Sequence, residues 1–191
     1  MFESDLLDRL SRVHPAVVPV IFVPAIVIFF GLGAPQVSAG GAVGLVLAGW
    51  LFWTLTEYWI HRLVFHFEPD SGPGARLHWI IHGVHHDHPN DPLRLVMPPS
   101  VSVPLAAAFY LLFITVMGHD AGNVFASGFF LGYLVYDMTH YYLHHFTPKT
   151  RFGKLMRELH MRHHFQDDTK GFGISAPFWD YVFGTPLRRG R

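Results

Sequence analysis

Fifteen histidines in 191 residues are the first sign of chemistry in this chain, and thirteen of them fall into four groups. His61 and His66 stand five apart in Glu57-Tyr-Trp-Ile-His61-Arg-Leu-Val-Phe-His66. A second group reads His78-Trp-Ile-Ile-His82-Gly-Val-His85-His86-Asp87-His88, a third reads Asp137-Met-Thr-His140-Tyr-Tyr-Leu-His144-His145, and a fourth reads His160-Met-Arg-His163-His164. His14 and His119 stand apart. Residues four apart on a helix leave the same face one turn apart, so His140 and His144 can serve one metal or a close pair. The triplets His82, His85, His86 and His160, His163, His164 repeat at i, i+3 and i+4, which predicts one face for each. His61 and His66 lie about 140° apart on an ideal helix. They meet one cluster only if the helix unwinds there, or if each faces a different metal.

Ten of these histidines (His61, His66, His82, His85, His86, His140, His144, His160, His163 and His164) would give five nitrogens to each of two metals and leave a position open for oxygen. Neutral imidazole suits iron, zinc, copper or nickel, whereas magnesium and calcium want oxygen ligands. Two divalent ions among neutral ligands carry about four positive charges, and outer carboxylates that accept the second ring N–H offset some of that. Glu57, Asp87 and Asp137 are the candidates for that role. His78, His88 and His145 exceed the ligand count and are outer-sphere or substrate-contact candidates. Cysteine is absent, which excludes thiolate metal sites, disulfides and a cysteine nucleophile.

The elements that must position these side chains are membrane helices. Half of the chain is hydrophobic and 15% is charged, against about a quarter in a soluble domain. Net charge is zero, so nothing points to nucleic acid. No Asp, Glu, Lys or Arg occurs between Arg12 and Glu57, a stretch long enough for two crossings of about 20 residues. Spans are expected at about 15–32, with Pro19 and Pro24 as kinks, and at about 43–62. Two more are expected at about 100–118 and 122–142. A cleaved signal peptide fits poorly, because the first apolar segment lacks a small-residue cleavage site. Arg9 and Arg12 precede the first span; Arg62, Arg76 and Arg94 lie between the second and third; the other nine basic residues, Lys149 to Arg191, follow the fourth. By the positive-inside rule both termini, the loop 63–97 and the tail 146–191 are cytoplasmic. The expected fold is an all-α membrane protein. Four transmembrane helices carry a cytoplasmic-facing helical cap with a histidine-rich dimetal site, and residues 1–191 form a single domain.

These motifs resemble the membrane fatty acid hydroxylase superfamily, which includes sterol desaturases and sterol methyl oxidases, and most closely the catalytic domain of fatty acid 2-hydroxylases. The resemblance covers roughly residues 50–186. It rests on His61-Arg-Leu-Val-Phe-His66, on the run from His82 through Arg94-Leu-Val-Met97-Pro98-Pro99, on the third and fourth histidine groups, and on Gly171-Phe-Gly-Ile-Ser-Ala-Pro-Phe-Trp179-Asp180. It implies that the ten histidines named above bind two metal ions. Iron is the physiological expectation, and zinc is possible in recombinant protein. The metals would activate O₂ to hydroxylate a fatty-acyl chain at the 2-position. Arg94, Met97 and Pro98, near the end of the loop just before the third span, are substrate-entrance candidates; the run they belong to is also what separates 2-hydroxylases from their relatives. Many members carry a b-type cytochrome domain ahead of the first span; here about a dozen residues precede it. A separate electron donor, a b-type cytochrome or a ferredoxin-like protein, is therefore expected. The competing readings are a desaturase, carotenoid hydroxylase or sterol oxidase on the same scaffold, and a membrane metal transporter. Transporters place ligands near mid-membrane on broken helices, unlike these groups at span ends and in loops.

Overall fold

Proline and glycine punctuate an otherwise apolar sequence, and the helices start and stop at them. The computed structural model describes residues 12–67, 69 and 71–187, and no strand occurs among them. Arg9, Arg188, Arg189 and Arg191, used above to read sidedness, lie outside the described residues. Helix α1 (Val17–Gly33) contains Pro24 and ends in a 3₁₀ turn, Ala34–Gln36, that begins with Ala34-Pro35. Helix α2 (Ala39–Ile60) continues as a π turn, His61–Phe65. A short helix α3 (Gly72–His78), a second π turn (Trp79–Gly83) and α4 (Val84–Asp87) follow. Pro98 is extended and Pro99 opens α5, Pro99–Met117, because proline at the first helical position has no N–H to leave unpaired. Gly118 ends α5 with φ +78°, a conformation open to glycine. Then come α6 (His119–His145), α7 (Arg151–Phe165) and α8 (Phe178–Val182).

Three helical stretches among the described residues are long and apolar enough to cross a membrane: Val17–Gln36, Ala39–Phe65 and Pro99–Met117, with mean hydropathies of 2.6, 1.5 and 2.0. Their outer faces expose Val20, Val27, Leu47, Leu111 and Val116, the last 73% accessible. That surface suits lipid and would be costly in water. The chain is an integral membrane protein. Helix α6 is 27 residues long, yet it is not among the three. Its polar residues Asn123, Ser127 and Asp137 are buried.

The chain divides into two compact units. The first comprises the described residues up to Trp53 together with Val96–Asp137. Its packing depends on missing side chains: a Cβ on Gly49 would lie 2.2 Å from the Phe125 carbonyl oxygen, and one on Gly128 would lie 2.1 Å from that of Val46. Small residues let membrane helices approach closely and gain dispersion contacts. Around these contacts lies an aromatic core, with Phe22 against Tyr133 at 4.6 Å and Trp53 against Phe129 at 5.1 Å. The second unit comprises Thr54–Leu95 and the described residues from Met138 onward. It holds all ten histidines expected to be ligands. In it Thr150 caps α7 by accepting the Gly153 N–H, and α7 buries Met156, His160 and His163 on one side.

Candidate metal centre

The two π turns explain how the histidines converge. In α2 the hydrogen bonds lengthen from four residues to five, and the His66 N–H donates to the His61 carbonyl at 3.1 Å. A π turn overlays residues five apart much as an α turn overlays residues four apart. His61 and His66 therefore share a face, with their Nε2 atoms 3.2 Å apart. The first of the two sequence alternatives, local unwinding, is the one observed. The second π turn carries His82 into α4, which holds His85 and His86.

The ten rings separate into two groups of five. One contains His61, His66, His82, His86 and His163; the other contains His85, His140, His144, His160 and His164. Within each, one ligand nitrogen per residue lies within 4.8 Å of the others. Two nitrogens facing each other across a metal at about 2.1 Å each stand about 4.2 Å apart, so only a small contraction closes each group on an ion. The triplets depart here from the one-face expectation. His82 and His86 enter the first group while His85 enters the second; His160 and His164 enter the second while His163 enters the first. Positions i+3 and i+4 lie about 100° apart around the helix, so each triplet divides between two neighbouring centres.

Hydrogen bonding shows which nitrogens face inward. His61 Nδ1 lies 2.8 Å from the Phe172 carbonyl oxygen, and His163 Nδ1 lies 2.7 Å from that of Lys170. A carbonyl only accepts, so both rings carry their proton on Nδ1 and present an Nε2 lone pair. Both lone pairs point at His66 Nε2, at 3.2 and 3.0 Å. His66 can donate to only one of them. Extra protons do not relieve the conflict. Burial, reinforced by neighbouring imidazoles, pushes His66 down to about 2 and His86 down to about 4. His82, His85 and His160 are pushed far below the ordinary histidine range for the same reasons. Neutral imidazoles pressed lone pair to lone pair are a donor set for a cation. The second group is similar: His160 Nε2 faces His144 Nε2 at 2.7 Å and His164 Nε2 at 3.2 Å.

The carboxylates stand elsewhere than expected. Glu57 accepts the backbone N–H of Ser175 at 2.7 Å and also its hydroxyl. Asp87 accepts the Trp79 indole N–H at 2.7 Å, and Asp137 accepts the Tyr133 phenol at 3.4 Å and the Met97 backbone N–H. Backbone carbonyls do the work assigned to carboxylates: those of Phe172 and Lys170, and that of Pro89 toward His144. Backbone acceptors leave no mark in side-chain identity, and the only signal was the glycine-rich run at 171–173. Outside the two groups, His78 Nε2 contacts the Phe65 carbonyl, His88 is exposed, and the His145 ring packs on Tyr141 at 4.5 Å. Arg94 is buried and pairs with Asp91 at 3.2 Å, while Met97 and Pro98 are partly exposed.

Comparison with known proteins agrees with this geometry. A family model described as fatty acid hydroxylase matches residues 46–185. A dihydroceramide fatty acyl 2-hydroxylase of Arabidopsis thaliana is 38% identical over 185 residues, covering 96% of this chain and 78% of that protein. Fatty acid 2-hydroxylase of Mus musculus is 36% identical over 207 residues, covering 97% of this chain and 56% of that protein. The solved structure of full-length Scs7p, in which only the hydroxylase domain is visible, superposes with a TM-score of 0.91 at 37% identity. That match covers 98% of this chain and 72% of the other.

Proposed function

Because the chain belongs to the fatty acid hydroxylase family, we propose that it hydroxylates a fatty-acyl chain, free or in an acyl lipid, at the carbon next to the acyl carbonyl. The observation that carries this reading is the pair of five-histidine groups, together with relatives named for 2-hydroxylation of fatty acids and dihydroceramide acyl chains. Two bound metals, iron in the physiological enzyme, would supply O₂ activation. The overall change is R–CH₂–COX + O₂ + 2 electrons + 2 H⁺ giving R–CHOH–COX + H₂O. The electrons come from a separate b-type cytochrome or ferredoxin-like protein.

This chain's residues supply position and environment. Ten imidazoles offer neutral nitrogens, in keeping with the depressed basicity of His66 and His86. The Phe172, Lys170 and Pro89 carbonyls hold rings in one tautomer. Burial of His82, His85, His160 and His163 keeps water from them. Helix α6 is the fourth span. Its 27 residues reach about 40 Å at 1.5 Å each, and its lower hydropathy suits an interior helix whose polar residues are buried. Both termini, the loop 63–97 and the metal centre face the cytoplasm, in keeping with the basic residues there.

The test is expression in a host that lacks 2-hydroxy lipids, followed by lipid mass spectrometry with position analysis. New 2-hydroxy-acyl species from the wild type, absent with His163→Ala, are expected. No hydroxy-acyl product, or an equal yield from the variant, would contradict the proposal.

A further inference from the structure

Beyond the ten histidines, the second unit spends a buried carboxylate on shaping backbone. Asp180 Oδ1 accepts the Phe172 N–H at 2.9 Å and the Thr185 hydroxyl at 2.8 Å, and Oδ2 accepts the Gly173 N–H at 2.9 Å. The Thr185 backbone closes the ring, donating to the Asp180 carbonyl at 2.7 Å and accepting the Gly171 N–H at 3.0 Å. Glycine is required in this turn: Gly171 has φ +78°, and a Cβ on Gly173 would stand 2.4 Å from the Ala176 carbonyl oxygen. Asp180 thus fixes the segment 171–173, which adjoins one ring-accepting carbonyl, that of Lys170, and contains the other, that of Phe172.

The histidine contacts of this segment go to one group. His61 and His163, whose Nδ1 protons the Phe172 and Lys170 carbonyls accept, both belong to the first group. The Phe172 ring packs edge-on against His66, His61 and His163 at 5.4, 5.7 and 5.8 Å, again first-group rings only. In the second group, His144 takes the Pro89 carbonyl, while Nδ1 of His85, His160 and His164 is buried with no hydrogen-bond partner among the described residues.

Resting on the two-metal reading above, we propose that Asp180 is a positioning residue for the metal of the first group alone, acting through the Phe172 and Lys170 carbonyls on His61 and His163. The two metals then differ in how they are held: the first group is preorganised by the tail, and the second is ordered largely by its ion. Asp180→Asn keeps the shape but places an amide N–H₂ against either the Phe172 and Thr185 donors or the Gly173 N–H. Loss of such an outer partner costs roughly 10–100-fold in metal affinity.

The experiment reads metal content and chelator-driven release from purified full-length protein. Asp180→Asn is introduced into two backgrounds: His144→Ala, which leaves the first group intact, and His66→Ala, which leaves the second. Metal affinity should fall roughly 10–100-fold in the His144→Ala background and stay within about threefold in the other. Thr185→Val, which removes one donor from Asp180, should give a smaller loss with the same selectivity and serves if Asp180→Asn does not fold. Equal weakening of both groups, or no change in the first, would overturn the inference while leaving the two-metal reading in place. Wild-type protein that binds no more than one ion would overturn that reading and the inference with it.

Discussion

At the scale of single residues, the decisive fact is where each ring keeps its proton. The Phe172 and Lys170 carbonyls hold the protons of His61 and His163 on Nδ1, so the Nε2 lone pairs that meet at His66 call for a cation. Each single-ligand substitution should therefore act on its own group. His163→Ala should lower metal affinity in the first group and spare the second, seen as one tightly held ion per chain in place of two. Protonation follows from the same burial. An unfolded histidine titrates near 6.5, whereas folded His86 titrates near 4 and His66 near 2. Between those values the unfolded chain binds more protons than the folded one. The stability of the metal-free protein is then fully present above about pH 6.5 and is lost as pH falls toward about 4. Thermal midpoints of chelator-treated protein between pH 7.5 and 5 should drop steadily; a flat or rising profile would contradict the assignment of neutral, buried rings.

At the scale of elements, two devices set the geometry: π turns that bring histidines five apart onto one face, and glycines that let helices touch. Gly128 and Gly44 separate the second device from a general effect of glycine. A Cβ at Gly128 meets the Val46 carbonyl oxygen at 2.1 Å, while one at Gly44 meets nothing within 4 Å. Gly128→Ala should cost about 1–3 kcal/mol through forced separation of the backbones. Gly44→Ala should leave the thermal midpoint in detergent unchanged or higher, since alanine is the better helix former. The helices themselves were legible from apolar runs and proline or glycine stops, and α5 ends within a residue of its expected bounds. The clustering of the ten histidines was also legible from their four short motifs, although only the His140 and His144 motif keeps whole the shared α-helical face that spacing predicted. Their division was not. Periodicity alone does not separate i+3 from i+4 when two centres lie side by side, and no residue type marks a π turn. The carbonyl partners were equally hidden, since any residue supplies a carbonyl. Glu57 and Asp180, both buried acids, accept hydrogen bonds from the tail backbone.

At the scale of the whole molecule, the sorting of all 14 Lys and Arg away from two of the loops is the basis for orientation. The natural absence of cysteine makes this directly measurable. Single cysteines at Gln36 and His119 should react with a membrane-impermeant maleimide on intact cells, whereas cysteines at Ser71 and Lys149 should react only after permeabilisation. The reverse pattern would invert the topology, and labelling at Lys149 together with Gln36 and His119, but not Ser71, from outside would remove the fourth span. All ten imidazoles converge within the second unit. The central claim is that they form two separate five-nitrogen centres in one chain. Metal analysis of purified wild-type, His66→Ala and His144→Ala proteins tests it most directly. Two ions in the wild type and one in each variant, held by opposite groups, are predicted. A single ion in the wild type, or loss of both ions from either variant, would contradict it.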